Sequence, residues 1–162
     1  MKEIEVKIPV KNFKEIKKFL KEIGAKRKFK KTFEKNILFS HKEIKSEKKE
    51  WILRIREFGK KVILTLKTKA RGRKGFKVKE EINIKIDDFK KMEKLLKNLG
   101  FFEAFYYEKF REEYEFEGLQ ISLDETPIGN YIELEGNYEK ILNFLDKISI
   151  SLKETLSVSY LQ

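Results

Sequence analysis

The chain has no cysteine among its 162 residues. This absence excludes a disulfide framework and any metal site built on thiolates. No stretch approaches the roughly 20 apolar residues that a membrane-spanning helix needs. The first residues, Met-Lys-Glu-Ile-Glu, also lack the apolar run of a signal peptide. We therefore expect a soluble, cytoplasmic protein with no membrane partner.

No segment rich in proline and serine divides the chain, and 162 residues suit one hydrophobic core better than two. We predict a single domain over residues 1–162. Lysine and arginine total 38, against 27 aspartates and glutamates, which gives a formal net charge of +11. This excess favours a polyanionic partner, but charge alone does not choose between nucleic acid, an anionic membrane surface and a polyphosphate.

Short segments in which apolar and charged residues alternate recur along the chain. The first is Glu3-Ile4-Glu5-Val6-Lys7-Ile8. Side chains of a strand point alternately to opposite faces, so its charged residues share one face and its apolar residues the other. The charged faces of all such segments hold the carboxylates Glu3, Glu5, Glu81, Asp124, Glu133 and Glu135. They also hold the cations Lys7, Arg54, Arg56, Lys67, Lys77, Lys79, Lys109 and Arg111.

Three segments with apolar residues at helical spacing interrupt these strands. We predict helices over residues 11–23, 88–99 and 138–148, the first two ending at Gly24 and Gly100. Because each helix has one apolar face, we expect helices to cover the apolar sides of the strands. The charged sides then face one another. This arrangement predicts an α+β fold: a closed or nearly closed antiparallel barrel of about eight strands, charged inside, with the helices packed outside.

The same alternation is typical of any sheet with one solvated face. The barrel is favoured because the carboxylates are concentrated on the first, seventh and last strands and the cations on the strands between, whereas a solvated face more often mixes both signs along each strand. Two carboxylates about 4 Å apart repel by about 4 kcal/mol at an effective dielectric near 20. Six in one cavity therefore need cations, and a hard divalent ion such as Mg²⁺ takes carboxylate oxygens readily.

The order of the charged segments carries more information than any one of them. Glu-x-Glu-x-Lys at residues 3–7 is followed by Leu53-Arg54-Ile55-Arg56, Thr65-Leu66-Lys67, Lys79-Glu80-Glu81, Lys109-Phe110-Arg111, Leu123-Asp124 and Ile132-Glu133-Leu134-Glu135. This ordered set resembles the CYTH family, the triphosphate tunnel metalloenzymes that include class IV adenylate cyclases and thiamine triphosphatases. The resemblance spans almost the entire chain.

The resemblance implies an enzyme that binds a small-molecule triphosphate, such as ATP, tripolyphosphate or thiamine triphosphate, with Mg²⁺ or Mn²⁺ as cofactor. It implies that the metal is held by Glu3, Glu5, Asp124, Glu133 and Glu135, and we add Glu81 to this metal set. It implies that the triphosphate is bound by Lys7, Arg54, Arg56, Lys67, Lys109 and Arg111.

Other residues receive weaker assignments. Lys77 or Lys79 is a candidate catalytic base, because neighbouring cations lower the pKa of a lysine; a tethering or solvated role is the alternative. His41, the only histidine, is expected at the surface or in packing rather than in catalysis. The aromatic run from Phe101 to Tyr107 is expected in the core or against a helix.

One strand departs from the family pattern. Many relatives carry a Tyr-Phe-Asp element on the strand after the first helix, whereas this chain reads Asn36-Ile37-Leu38-Phe39-Ser40. A role for that strand in recognising a base or an extra metal is therefore not assigned.

Three functions fit these residues. Hydrolysis of a triphosphate is the expected one. The alternative is the class IV adenylate cyclase reaction, which converts ATP to cyclic AMP and pyrophosphate. A third is binding of RNA or polyphosphate without turnover, suggested by the net charge and the basic loop at residues 69–75, although nucleic acid is the less favoured partner. A homodimer is compatible with the sequence, but no segment demands one.

Overall fold

A computed structural model describes residues 3–43, 51–70 and 77–155, and their side chains over 4–43, 51–68 and 81–155. The strands are β1 (Glu3–Val10), β2 (Lys26–His41), β3 (Trp51–Phe58), β4 (Lys61–Ala70), β5 (Lys77–Ile86), β6 (Phe101–Phe116), β7 (Leu119–Thr126) and β8 (Gly129–Gly136). The helices are α1 (Lys14–Glu22), α2 (Phe89–Asn98) and α3 (Tyr138–Lys147), followed by one short 3₁₀ turn, Leu152–Glu154. None of the helices in these ranges is long and apolar enough to cross a membrane.

The strands are hydrogen-bonded in the order β1-β5-β4-β3-β2-β6-β7-β8, and the order closes on itself where β8 pairs with β1. The β8–β1 ladder is antiparallel, with Ile4 opposite Gly136 and Val10 opposite Asn130. The predicted class, an α+β fold with an eight-stranded antiparallel barrel and three helices, is confirmed. The three predicted helices are also present. α1 begins three residues later than expected, because Asn12 Oδ1 accepts from the backbone N–H of Lys14 in a turn.

The described chain divides into two compact units. Residues 33–43, 51–70 and 79–109 form the α2 unit, and residues 3–32, 77–78 and 110–155 form the α1/α3 unit. The long strands β2 and β6 each contribute residues to both. Each unit has its own apolar core, and the single domain over residues 1–162 stays a prediction.

The core of the α1/α3 unit joins the apolar stripes of its two helices to alternate residues of β1, β7 and β8. Leu20 of α1 and Ile141 of α3 are fully buried. They pack in one cluster with Val6, Ile8, Leu119, Ile121, Leu123, Ile132, Leu134, Phe144 and Leu145. The charged residues of the same strands therefore lie on the opposite side.

The core of the α2 unit is smaller and rich in aromatic contacts. Leu96 of α2 packs on Ile37 and Phe39 of β2 and on Leu53 and Ile55 of β3.

His41 belongs to the edge of this core. Its ring lies edge-on to Phe101, with 4.9 Å between centroids, and its Nε2 is 3.2 Å from the carbonyl oxygen of Leu99. The prediction that His41 is a surface or packing residue is confirmed.

Part of the expected packing is absent from the α2 unit. Ile82 and Ile84 of β5 are 52% and 54% exposed, and Leu95 and Leu99 at the end of α2 are exposed as well. The core under α2 is formed with β2 and β3 and includes Ile86 at the end of β5, but Ile82 and Ile84 stay uncovered. The expectation that helices cover the apolar sides of the strands is wrong for this strand. The separate expectation that the aromatic run lies in the core or against a helix is wrong for Phe102, Phe105 and Tyr106, which are exposed.

A buried carboxylate fastens α1 to β6 in the α1/α3 unit. Glu112 of β6 is 6% exposed. It accepts from Lys17 Nζ of α1 and from the Tyr114 hydroxyl at 2.7 Å, and Arg27 Nη1 lies 3.6 Å away. Burial raises the pKa of the Glu112 carboxyl, but these donors together lower it by more, so the net pKa lies below that of an ordinary glutamate. Burial and the bond to Glu112 raise the pKa of Tyr114 to about 12.

Substitution of Glu112 by glutamine is expected to destabilise the protein in a pH-dependent way. At pH 7 the free energy of unfolding should fall by about 1.5–3 kcal/mol, the contribution of hydrogen bonds to a charged group. The folded pKa of Glu112 lies below the unfolded value of about 4.3. Its stabilisation is therefore complete above that pH and is lost as the pH falls through the folded pKa. Urea unfolding at pH 7 and in acid tests this.

Glu115→Gln is the matched control. Glu115 lies on the same strand, but it is exposed and pairs with the exposed Lys28 at 2.5 Å. Exposed ion pairs contribute little, so this change should have a small effect at either pH. An equal loss for both variants would mean that the burial of Glu112 is irrelevant.

Candidate active site

The charged residues of the α1/α3 unit meet across neighbouring strands. Opposite residues of an antiparallel ladder share a face. The register places Lys7 of β1 opposite Glu133 of β8, and Glu133 opposite Ser122 of β7. It also places Arg111 of β6 opposite Asp124 of β7. Four strands thus bring predicted site residues together on one side of the sheet.

These residues form a connected set, which we call the carboxylate cluster: Glu5, Lys7, Arg111, Asp124 and Glu133. Arg111 donates to Asp124 through Nε and Nη2, both at 2.6 Å, and its Nη2 also donates to Glu133. Lys7 donates to Glu133, and its Nζ lies 3.4 Å from Glu5. Asp124 is fully buried, and only Glu5 is substantially exposed. The four buried members, two cations and two carboxylates, therefore balance one another's charge, and Glu5 adds a partly exposed carboxylate.

Glu135 is the remaining described carboxylate of this unit in the predicted metal set. Its backbone lies opposite Glu5 on β1 and opposite Gln120 on β7. Glu135 therefore shares the face of the carboxylate cluster.

The α2 unit holds a second set, the cation cluster: Arg54 of β3, Lys67 of β4, Glu81 of β5 and Tyr107 of β6. Lys67 Nζ is 2.6 Å from Glu81, and Arg54 Nη2 is 3.9 Å from it. Arg54 Nη1 lies 3.4 Å from the Tyr107 hydroxyl. Burial raises the pKa of Glu81, but Lys67, together with Arg54 and Asn83, lowers it by more. Glu81 is therefore held as a carboxylate.

A buried nitrogen of the cation cluster lacks a hydrogen-bond partner among the residues that the structure describes. Arg54 Nε is buried and makes no hydrogen bond within the described part of the chain. Burial lowers the pKa of Arg54, but Tyr107 and two glutamates, Glu34 and Glu81, raise it by more, so the guanidinium stays charged. A buried donor on a permanently charged fork is suited to an oxyanion ligand.

Strand β2 adds two polar residues that were not predicted. Glu34 and Asn36 are 1% and 0% exposed. Asn36 Nδ2 donates to Glu34 Oε1 at 3.0 Å, and Lys109 Nζ of β6 lies 3.7 Å from the same oxygen. The register sets Asn36 opposite Arg56, which places it on the side of the predicted phosphate-binding arginines.

Alternation along the sequence could not identify Glu34 and Asn36 as site residues, for a physical reason. Ile37, Leu38 and Phe39 are all buried, so the strand reads as a continuous apolar run rather than as two distinct faces. The pairing of β2 with β3, which places Asn36 beside Arg56 and Leu38 beside Arg54, is the signal that identifies the polar face.

Three assigned residues lie outside the described side chains: Glu3, Lys77 and Lys79. The basic loop is also outside the described residues from position 71 onward. Their roles stay predictions.

A CYTH domain matches residues 1–157 of the chain. The chain belongs to the CYTH family. CYTH proteins are metal-dependent enzymes with a triphosphate tunnel fold that bind triphosphate substrates. The likeness to individual proteins covers almost the whole of this CYTH chain.

Three relatives illustrate this likeness. "Putative adenylate cyclase MJ0240" of Methanocaldococcus jannaschii is 30% identical over 173 aligned positions, which cover all of this chain and 98% of that protein. The PH1819 protein of Pyrococcus horikoshii is 30% identical, with a TM-score of 0.75, over 98% of this chain and 96% of that one. A Hippeastrum protein, "Putative adenylyl cyclase HpAC1", shares the fold at 22% identity and a TM-score of 0.65, over 91% and 86% of the two chains.

The carboxylates of this CYTH protein fit a divalent metal by donor type. Glu5, Asp124, Glu133 and Glu135 present hard oxygen donors from the adjacent strands β1, β7 and β8. Among the described side chains, no three acidic or histidine groups converge in a geometry that would hold an ion. Glu5, Asp124 and Glu133 contact Lys7 or Arg111 instead.

The paired state of the cluster predicts a specific pattern of stability. Arg111→Met should lower the free energy of unfolding by about 3–5 kcal/mol, because it leaves Asp124 buried without its counter-charge. The double variant Arg111→Met/Asp124→Leu should recover part of that loss, because both buried charges are then removed. Urea unfolding of the three proteins checks this. The exposed pair of Lys31 and Glu125 provides the control, since Lys31→Met should change little.

If the double variant is less stable than Arg111→Met alone, Asp124 does not depend on Arg111 for its burial. The carboxylate cluster would then not act as one neutralised network.

Proposed function

We propose that this CYTH protein is a triphosphatase that depends on a divalent metal. The observation that carries the proposal is the buried ion network of Lys7, Arg111, Asp124 and Glu133. Burying charge is costly, and apolar residues of similar size are often at least as stabilising as a buried ion pair. A network of this kind is better explained by a ligand of mixed charge, a metal and a triphosphate, than by stability.

The cations would bind the phosphate oxygens, and the carboxylates would bind the metal. Lys7 and Arg111 are donors for phosphate oxygens in one cluster, as are Arg54 and Lys67 in the other, and the planar arginine fork suits phosphate geometry. When phosphate takes Lys7 and Arg111, the oxygens of Asp124 and Glu133 are released to hold the metal. Bound Mg²⁺ or Mn²⁺ would polarise phosphoryl oxygens and stabilise developing charge.

Two relatives point to different reactions. The Hippeastrum protein is described as having a dominant triphosphatase activity, which supports hydrolysis. The Methanocaldococcus relative, at 30% identity over the whole chain, bears the name of an adenylate cyclase, which makes cyclisation of ATP the second candidate. Both reactions use the same cations and carboxylates. Cytoplasmic location, a general base at Lys77 or Lys79, and the choice of metal stay predictions.

Glu5→Gln is expected to abolish metal-dependent turnover while leaving the protein folded. Glu5 is the most exposed carboxylate of its cluster, and Lys7 keeps its contact with Glu133 when Glu5 is replaced. The substitution therefore removes a metal ligand without leaving a buried charge unpaired. The loss should exceed the roughly 10- to 100-fold that removing an outer-shell partner costs. The measurement is ³¹P NMR with tripolyphosphate, ATP and thiamine triphosphate, each with Mg²⁺ and with Mn²⁺.

Glu125→Gln, at the exposed end of β7, is the matched control and should retain activity. Orthophosphate that depends on Glu5 identifies a triphosphatase. Cyclic AMP with pyrophosphate identifies a cyclase instead. Silence with every substrate and both metals would favour a polyphosphate-binding protein without turnover.

A binding experiment without metal tests the exchange of partners directly. If tripolyphosphate draws Lys7 and Arg111 away, the buried carboxylate of Glu133 loses the two cations that it contacts in the wild-type protein. Glu133→Gln removes that penalty, so it should bind tripolyphosphate in EDTA at least about tenfold more tightly than wild type, a difference of about 1.4 kcal/mol. Isothermal titration calorimetry measures this. Weaker binding by Glu133→Gln, with Glu125→Gln unchanged, would show that no exchange occurs.

A further inference from the structure

We propose that Asn36 of β2 recognises a hydrogen-bond donor on the organic part of the substrate. The protein would then prefer a triphosphate ester that carries an N–H or O–H group, such as a nucleotide, over inorganic tripolyphosphate. This inference rests on the proposed triphosphate-cleaving function and names its substrate class.

The first observation is an unsatisfied acceptor. Asn36 is 0% exposed, and its Nδ2 donates to Glu34. Its Oδ1 accepts no hydrogen bond from any side chain or backbone group in the described ranges. Leaving a buried acceptor unpaired costs about 1–3 kcal/mol, and such groups in native proteins call for an explanation. A donor supplied by the ligand removes that cost.

The second observation is the chemistry of the neighbours. Glu34 Oε1 lies beside the amide, and Lys109 Nζ is 3.7 Å from the same oxygen. The amide oxygen of Asn36 is thus an acceptor at a place otherwise rich in cations. The oxygens of a triphosphate near neutral pH are overwhelmingly acceptors, so they fit the arginines and not this amide oxygen. A hydroxyl or amino group fits it.

The third observation concerns access. Asn36 lies opposite Arg56, and the next residue on that side of β2, Leu38, lies opposite Arg54. These arginines are long cations that a triphosphate attracts, and Arg54 Nε is already without a partner among the described residues. A triphosphate bound by these arginines would therefore lie on the side of β2 that carries Asn36. Leu38 then gives the organic group an apolar neighbour.

The test compares substrates rather than absolute rates. Asn36→Leu keeps the branched shape of the side chain, with a larger volume, and removes the acceptor. We expect kcat/KM for ATP to fall at least about tenfold, equivalent to about 1.4 kcal/mol, mainly through a higher KM. The value for tripolyphosphate should stay within about twofold. Asn36→Thr suits a strand and brings the polar atom one bond closer to the backbone, so it should show part of the same selectivity loss if the leucine variant is unstable.

Asn130→Ala is the matched control. Asn130 is an asparagine of β8 whose Nδ2 donates to the carbonyl oxygen of Lys11, so its amide belongs to neither cluster. It should leave the ratio of ATP to tripolyphosphate unchanged.

Each other outcome overturns the inference in a distinguishable way. If both substrates lose activity equally in Asn36→Leu and Asn36→Thr, Asn36 is structural, for example by holding a buried water. If the wild-type protein cleaves tripolyphosphate and no organic triphosphate, the substrate class is wrong while the proposed function stands. If it cleaves neither, the proposed function itself fails.

Discussion

A buried charge needs a counter-charge, and this requirement decides how the charged side chains are paired within each unit. Asp124 has no exposed surface, and it is held by a two-pronged contact from Arg111. Lys7 and Arg111 share Glu133, so the loss of any one member disturbs the others. The antiparallel register makes the pairing possible, because it places these residues opposite one another on adjacent strands. A ligand that brings charges of both signs can replace these partners without leaving a charge stranded.

Much of this arrangement could be predicted from alternation along the sequence. Glu5 and Lys7 share a face simply because they are two residues apart on a strand, and the helices follow from one-sided apolar stripes. Which charges pair could not be predicted, because the partner of Arg111 depends on the register of β6 against β7. For the same reason the sequence places Glu81 in the predicted metal set but does not reveal that its contacts in the α2 unit are Lys67 and Arg54.

Local pattern also fails where tertiary packing decides exposure. Ile82 and Ile84 alternate with polar residues as a half-buried strand should, yet both are exposed, because α2 lies over β2 and β3. The reverse holds for Asn36. Its side chain is buried although it is polar, and the three consecutive buried apolar residues that follow it give no sign of a polar face on this strand. In both cases the missing information is which element packs on the strand, and this is not encoded in the strand's own residues.

Burial of a carboxylate does not by itself identify a functional site, and Glu112 shows the difference from Asp124. Both are buried, and both contact cations. The partners of Glu112, Lys17 and Arg27, are half exposed and lie where α1 meets the sheet, so water can solvate them if the contact opens. The partner of Asp124 is itself buried, so opening that contact separates two opposite charges that both remain in the interior. The Glu112 contact therefore holds a helix against the sheet, whereas opening the Asp124 contact costs more free energy, because both of its charges are buried.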